Sequence, residues 1–412
     1  MMNWLTRTAT GLMGWVDERM AVTETYKAHM SEYYAPKNFN FWYYFGVLSM
    51  IVLVNQLLTG IWLTMFYTPT AEGAFASIEY IMRDVEYGWL IRYMHAVGAS
   101  AFFLVVYLHM FRGLLYGSYK APRELVWIFG MLIYLALMAE GFMGYVLPWG
   151  NMSYWGAQVI ISLFGAIPVI GEDLTVWIRG DYLLSGASLT RFFALHVVAI
   201  PIVLLALVVL HIIALHEVGS NNPDGVEIKK TKNAQGIPLD GIPFHPYYSV
   251  KDTVGIVVFL ILFAAVIFYM PTGGGYLIEK PNFEPADPLK TPAHIAPVWY
   301  YGAYYAMLRA IPDKLAGVIV MFGAIAILFV LPWLDRNPIK SIRYKGMVSK
   351  VSIMVFAAVF VMLTWLGTQP ATGLYTLLAQ IGTAYYFAFF LVLMPFMHKW
   401  EQSKPVPERV TG

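Results

Sequence analysis

RYMHAVGASAFFLVVYLHMFR, residues 92–112, decides how the rest of the chain reads. Between Arg92 and Arg112 the run carries no charge, and its length approaches the ~20 residues that a helix needs to cross the hydrocarbon of a bilayer. Two histidines interrupt it, His95 and His109. At 100° per residue, 14 positions fall about 40° short of four full turns, so both imidazoles lie on broadly one face, ~21 Å apart in rise. A second apolar run, Phe192–His216, repeats the device with His196 and His211. Their 15 positions overshoot four turns by about 60°.

A lone histidine in a membrane helix is as often a hydrogen-bonded packing residue as a ligand. Four of the chain's 9 histidines in two matched pairs read differently, because ionisable groups inside a membrane are costly and mark functional sites. A neutral imidazole loses its hydration cost by coordinating a metal. If the two helices are neighbours, the four rings can hold two planar metal cofactors stacked across a bilayer, and haem with two axial histidines is the natural candidate.

Composition agrees with a polytopic membrane protein. Of 412 residues, 59% are hydrophobic and 13% charged, with mean hydropathy +0.60; a soluble domain carries about a quarter charged residues. The net charge of +2 gives no footing for nucleic acid. Cysteine is absent, which excludes disulfides, thiolate ligands, iron–sulfur ligation and covalent c-type haem attachment. The start of the chain does not read as a signal peptide. Residues 1–37 mix Arg7, Asp17, Glu18, Arg19, Glu24 and Lys27 with Trp4, Leu5, Leu12, Met13 and Trp15, the pattern of an amphipathic segment lying on the membrane.

Charge-free runs predict an all-α membrane protein of eight transmembrane helices, a four-helix diheme bundle followed by a four-span C-terminal part. The spans fall within 38–71, 93–111, 125–148 (with Glu140 inside), 192–216, 253–270, 315–334, and a final run 351–398 split in two at Thr368–Gly373. Residues 38–220 then form the diheme-binding domain, with interfacial helices across 150–180. Residues 221–252 form a polar loop, and 253–412 a second membrane domain whose loop 271–298 is rich in Pro and Gly. The gap between the fourth and fifth spans is a candidate subdomain boundary. With both termini on one side, 19 of the 27 Lys and Arg residues fall on that side, so both termini face the cytoplasm by the positive-inside rule.

Glycines echo the histidine spacing. Gly46 and Gly60 in the first span, and Gly130 and Gly144 in the third, are each 14 apart. Glycine also serves close helix packing in membranes, but this spacing sets a side-chain-free notch at the depth of each cofactor, where a porphyrin edge needs room. Arg92, Arg112 and Arg191 flank the histidines. They read either as snorkelling side chains or as partners for anionic haem propionates.

Longer strings carry a resemblance. They are Tyr87-Gly88-Trp89 through Arg92-Tyr93-Met94-His95, Arg112-Gly113, Tyr116-Gly117-Ser118-Tyr119, Gly144-Tyr145-Val146-Leu147-Pro148-Trp149-Gly150, Arg191-Phe192-Phe193-Ala194-Leu195-His196, His216-Glu217-Val218-Gly219-Ser220-Asn221-Asn222-Pro223 and Phe244-His245-Pro246-Tyr247-Tyr248. On these the chain resembles, over about residues 38–400, the cytochrome b subunits of respiratory ubiquinol–cytochrome c reductases (cytochrome bc complexes) of bacterial type. The resemblance implies two non-covalent b-type haems, the low-potential one on His95 and His196 near the periplasm and the high-potential one on His109 and His211 near the cytoplasm. It implies an outer, quinol-oxidising site at Tyr145, Gly156, Pro297, Val298, Trp299, Tyr300 and Tyr305. It also implies an inner, quinone-reducing site at His216, Ser220, Lys251 and Asp252, where a titratable His and Asp suit proton uptake; Lys251 and Asp252 also read as an ordinary helix start. The activity implied is a proton-translocating Q cycle in a bacterial inner membrane. The implied partners are ubiquinone, lipid, a Rieske iron–sulfur protein and a c-type cytochrome, in a homodimer of the complex.

Two features depart from the family pattern. The 15-residue spacing of His196 and His211 is one longer than respiratory members usually show, and a bulge near Pro201 can absorb the extra residue. The outer-site motif, usually Pro-Glu-Trp-Tyr, is Pro297-Val298-Trp299-Tyr300 here, and valine accepts no proton. Glu140 is a candidate replacement, read otherwise as a buried neutral or paired carboxyl; His294 and Asp287 are weaker candidates. Two rivals stand beside this reading. One is a transporter with histidine-based proton coupling, for which inverted repeats or broken helices would speak. The other is a diheme anchor of another oxidoreductase.

Overall fold

Seven helices of the computed structural model, which describes residues 2–411 with side chains from residue 11 onward, are long and apolar enough to cross a membrane. In chain order the helices are α1 (Met2–Met20), α2 (Phe41–Thr64), α3 (Ala74–Arg83), α4 (Gly88–Tyr116), α5 (Glu124–Val146), α6 (Asn151–Phe164), α7 (Gly171–Arg179), α8 (Gly186–Val218), α9 (Phe244–Tyr269), α10 (Gly302–Ala310), α11 (Lys314–Phe329), α12 (Met347–Leu366) and α13 (Gly373–Lys399). The seven long ones are α2, α4, α5, α8, α9, α12 and α13. The sixth expected span is the exception. Its helix α11 has 16 residues, and Pro332 opens a separate turn, Leu331–Leu334, beyond it. Sixteen residues rise only about 24 Å, short of a ~30 Å hydrocarbon core.

Helices run past the apolar windows that announce them. The second span gains a turn at each end, the fourth begins at Gly186, and the fifth begins at Phe244, nine residues before Thr253. Lys251 and Asp252 end the apolar run but sit inside the helix, Asp252 in the first turn of its regular α-helical part, Ser249–Tyr269. A charge stops a hydropathy window without stopping a hydrogen-bonded helix.

In α1, Leu12, Met13, Trp15 and Met20 are exposed and Arg19 lies 4.3 Å over the Trp15 ring. Trp4, Leu5 and Arg7 lie outside the described side chains. Among the described residues, strands pair in a two-stranded antiparallel ribbon, Tyr34–Pro36 against Gly241–Pro243.

The expected boundary between the fourth and fifth spans does not divide the core. Phe103, Met131 and Tyr134 share one buried cluster with Met307, Phe356 and Phe389. Polar groups stitch the same seam: Trp127 Nε1 donates to the Leu328 carbonyl (2.7 Å), Tyr301 Oη to the Met138 carbonyl (2.7 Å), and Tyr134 Oη to Tyr304 Oη (3.0 Å). Around this core, lipid-length helices leave Val198, Ile202, Ile261 and Met354 exposed, the surface of a chain solvated by hydrocarbon.

Candidate functional site

Helix α2 packs along α4, and α5 along α8. This brings the histidines into two facing pairs. The rings of His95 and His196 have centroids 6.2 Å apart with planes at 87°; those of His109 and His211 are 6.4 Å apart at 61°. A metal–imidazole bond is about 2.0–2.1 Å and the ring centre lies about 1.1 Å behind the nitrogen, so two axial imidazoles on one metal put their centroids about 6.3 Å apart. Both pairs meet that distance. Among the described residues no group of three or more His, Cys, Asp or Glu could hold a metal ion. Two ligands per site fit a metal whose other bonds come from a macrocycle.

Hydrogen bonds fix the outer rings. Thr59 Oγ1 donates to the Asn55 carbonyl (2.6 Å), which spends its one proton, so at 2.9 Å it accepts from His95 Nδ1. His196 Nδ1 lies 3.0 Å from both the backbone oxygen and Oε1 of Glu140, two acceptors. Each ring therefore carries its proton on Nδ1 and keeps the Nε2 lone pair, the tautomer that ligation requires. The inner pair is held less tightly. His211 Nδ1 is buried and, among the described residues, without a partner; His109 Nδ1 meets Arg112 Nη2 at 3.4 Å.

The four glycines face the four histidines, one to one, and Gly60 and Gly144 also line the outer cavity. A Cβ would stand 3.3 Å from His109 Cε1 at Gly46, 3.1 Å from His95 Cε1 at Gly60, and 3.4 Å from His211 Cε1 at Gly130. At Gly144 it would overlap His196 Cε1. The ring reaches across the helix–helix gap, so the helix opposite must lack a side chain there. The extra residue between His196 and His211 is taken up by a π-helical turn, Leu195–Ala199, directly before Pro201.

The outer pair opens on a cavity of about 420 Å³ lined by Gly60, Arg92, Gly144 and Glu140 among others. Arg112 sits in the inner region, 5.0 Å over the Tyr43 ring and bonded to Ser118 Oγ (3.1 Å). Arg191 departs from expectation. It donates to the Trp177 carbonyl (2.6 Å) and packs under Gly180, holding α7 against α8 instead of facing the cavity.

A second cavity, of about 30 Å³, is lined by Tyr145, Gly156, Pro297, Val298 and Tyr305 with Tyr301. Two residues expected with them turn elsewhere: Trp299 donates to Ser100 Oγ (3.1 Å), and Tyr300 stacks on Phe103 at 3.9 Å and lines the larger cavity. Asp287 Oδ1 accepts from the Leu289 amide and His294 Nε2 meets the Thr368 carbonyl, so neither faces these cavities. Glu140 Oε1 is engaged by His196, while its Oε2 is buried without a partner among the described residues. What sequence reasoning missed is Glu279, in the Pro- and Gly-rich loop. Tyr145 Oη donates to Glu279 Oε2 (3.1 Å), and Asn282 Nδ2 donates to both Glu279 Oε2 (3.1 Å) and Tyr145 Oη (3.0 Å). Burial pushes the Glu279 carboxyl up to about 7, against the lowering effect of those hydrogen bonds.

At the other face, His216 Nδ1 lies 2.9 Å from His29 Nδ1, Tyr33 stacks on His216 at 4.4 Å, and Tyr33 Oη bonds Ser220 Oγ (3.1 Å). His29 and Tyr33 come from the segment after α1 and carry no periodic signal. Lys251 is drawn away to the Phe39 carbonyl (2.7 Å), with Asp252 beside it in the first turn of Ser249–Tyr269.

Fold and site together define a class, a polytopic helical membrane protein that holds haem non-covalently between its helices. The family model described as Cytochrome b/b6/petB matches residues 30–219, and that described as Cytochrome b(C-terminal)/b6/petD matches residues 285–387. The chain belongs to the cytochrome b family, and electron transfer across the membrane is its role. It is 60% identical to the cytochrome b of Allochromatium vinosum over 97% of this chain and 98% of that one. It is 48% identical to a Bradyrhizobium diazoefficiens protein named cytochrome b/c1 over 96% of this chain and 56% of that one. A solved structure, a hyperthermophilic respiratory Complex III, superposes with a TM-score of 0.87 at 39% identity, over 94% of this chain and 99% of the matched chain.

Proposed function

We propose that the chain is the diheme, quinol-oxidising and quinone-reducing subunit of a respiratory quinol–cytochrome c reductase working by a Q cycle. The observation that carries this reading is the geometry of the two imidazole pairs, both at the spacing of axial ligands and each ring opposite its own glycine. His95 and His196 hold the low-potential b-type haem and His109 and His211 the high-potential one. When bound, the haems supply one-electron carriers at two depths, and an electron crossing between them works against the membrane potential at ~2.3 kcal/mol per charge per 100 mV. Arg92 and Arg112 supply positive charge beside the two sites.

The chain's own groups do the rest. Tyr145, Gly156, Pro297, Val298 and Tyr305 shape the quinol-oxidising pocket, with Trp299 and Tyr300 buttressing its wall. His216 and Ser220, backed by His29 and Tyr33, place donors and acceptors for quinone reduction, with Lys251 and Asp252 at its margin. Eight crossings place both termini in the cytoplasm of a bacterial inner membrane. The reading is supported by loops 117–123, 219–243 and 335–345, which meet the C-terminal tail on one face. Lys314 to Leu334 supplies the sixth crossing as a helix broken at Pro332. A chain without cysteine leaves iron–sulfur and c-type haem chemistry to partners, a Rieske protein and a c-type cytochrome, in a homodimeric complex. The Bradyrhizobium relative's name joins cytochrome b with c1, which supports the second partner.

The test is an anaerobic redox titration of the purified complex, following the b-haem absorbance. Two separate one-electron steps are expected, and loss of one of them in His211→Leu. A complex without haem would overturn the reading and return a proton-coupled transporter to first place.

A further inference from the structure

Val298 lines both outer cavities and offers no proton acceptor, yet oxidising a quinol releases two protons. Tyr145 also lines both. Its oxygen accepts from Asn282 and its proton is donated to Glu279, which leaves one lone pair for a donor in the small cavity. Glu279 lies behind Tyr145, on the wall of the larger cavity and on a loop at the molecule's surface. Glu140 lines the larger cavity but not the small one that Tyr145 and Val298 share; its Oε1 is held by His196 and its Oε2 is buried without a partner among the described residues. We propose that Glu279 accepts a proton of quinol oxidation through the Tyr145 hydroxyl and hands it to the outer water. This rests on the quinol-oxidising reading of the pocket.

The step balances. The quinol O–H bond breaks and an O–H forms on Tyr145, while the original Tyr145 O–H breaks and an O–H forms on Glu279. The electron leaves to the one-electron acceptors that the established activity supplies. The charged and titratable groups that line the cavity with Glu279 are Tyr145 and Glu140 from α5, Arg92, Tyr93 and His95 from α4, His196 from α8, Glu79 and Arg83 from α3, and Tyr67 and Tyr300. Of these Tyr145 bonds it directly. A general base must be deprotonated, so turnover rises with pH through about 7, the position to which burial moves this carboxyl.

The experiment uses the purified complex with a short-chain ubiquinol. In Glu279→Gln, turnover is expected to fall about 10²-fold or more, with the quinol KM and both haem midpoints unchanged and the acid limb of the pH profile gone. A carboxylic C=O band in the redox-difference infrared spectrum of the wild type should vanish, and adding Val298→Glu should restore part of the turnover. Unchanged turnover and pH profile in Glu279→Gln would overturn the assignment alone. A wild-type complex that oxidised no quinol would overturn the pocket's reading as well. Should the Gln variant fail to assemble, Glu279→Asp decides: a shifted C=O band supports the assignment, and an unshifted one overturns it.

Discussion

Gly144 stands where α5 passes the imidazole of His196, and its missing side chain is what lets that ring reach its partner. A Cβ there would also lie 2.9 Å from both ring nitrogens, and the ring cannot swing aside because Glu140 holds Nδ1 from two oxygens. At Gly130 the same Cβ would make a 3.4 Å contact with a ring whose Nδ1 has no partner among the described residues. Gly144→Ala is therefore expected to lose one haem per chain and Gly130→Ala to keep both, as read by the pyridine haemochrome ratio of haem to protein. Equal haem content in the two variants would show that ring clearance does not govern assembly. The glycine–histidine register is legible in the sequence because the glycines and the first histidine pair share a 14-residue period. Glu279 and His29 are not. They belong to irregular or surface segments, where the chain's path decides proximity and no periodicity reports it.

Among elements, the π-helical turn at Leu195–Ala199 resolves the mismatch between a 14-residue and a 15-residue histidine spacing. It removes one residue's worth of rotation just before Pro201, so His196 and His211 present the same angular relation as His95 and His109. Val198, within the turn, is 55% exposed to the lipid side. Deleting it should straighten the helix, leave a 14-residue spacing and preserve both haems in the optical spectrum. Loss of either haem would show that the turn does more than absorb a residue. The need for such a bulge can be argued from spacing and from Pro201. Element type is legible because uncharged runs of this length have few alternatives in a bilayer. Helix ends are not, because Lys251, Asp252 and Arg191 interrupt hydropathy while the backbone continues to hydrogen-bond. The break at Pro332 escapes notice for the opposite reason: apolar side chains on both sides conceal it.

At the scale of the molecule, a network of buried ions ties the loop after α4 to the segment before α12. Asp335, 5% exposed, meets Lys120 Nζ at 3.1 Å, Lys345 Nζ at 3.2 Å and the Tyr119 hydroxyl at 2.6 Å. Burial would raise this carboxyl, but Lys345 and Lys120 hold it below the usual range. Asp335→Asn leaves two buried ammonium groups without a counter-ion, a loss of about 3–5 kcal/mol, expected as a lower unfolding temperature in detergent at near-neutral pH. An unchanged transition would mean that water reaches the lysines. Glu227 reports the same seam by pH. Burial opposes its ionisation, yet Arg123 and Lys340 hold it at about 2. A carboxyl lowered on folding adds stability above its ordinary pKa and loses it as pH falls toward 2, so thermal scans should show the face bearing the termini loosening below about pH 4. Across the molecule the two imidazole pairs also differ in how their planes cross, 87° in the outer pair and 61° in the inner. If each pair were to hold a ferric haem iron, as proposed, the nearly perpendicular outer rings would make that centre the more anisotropic magnetically. The site at His95 and His196 should then give the more anisotropic low-temperature electron paramagnetic resonance signal, so that two centres with identical ligands would be told apart by their magnetism.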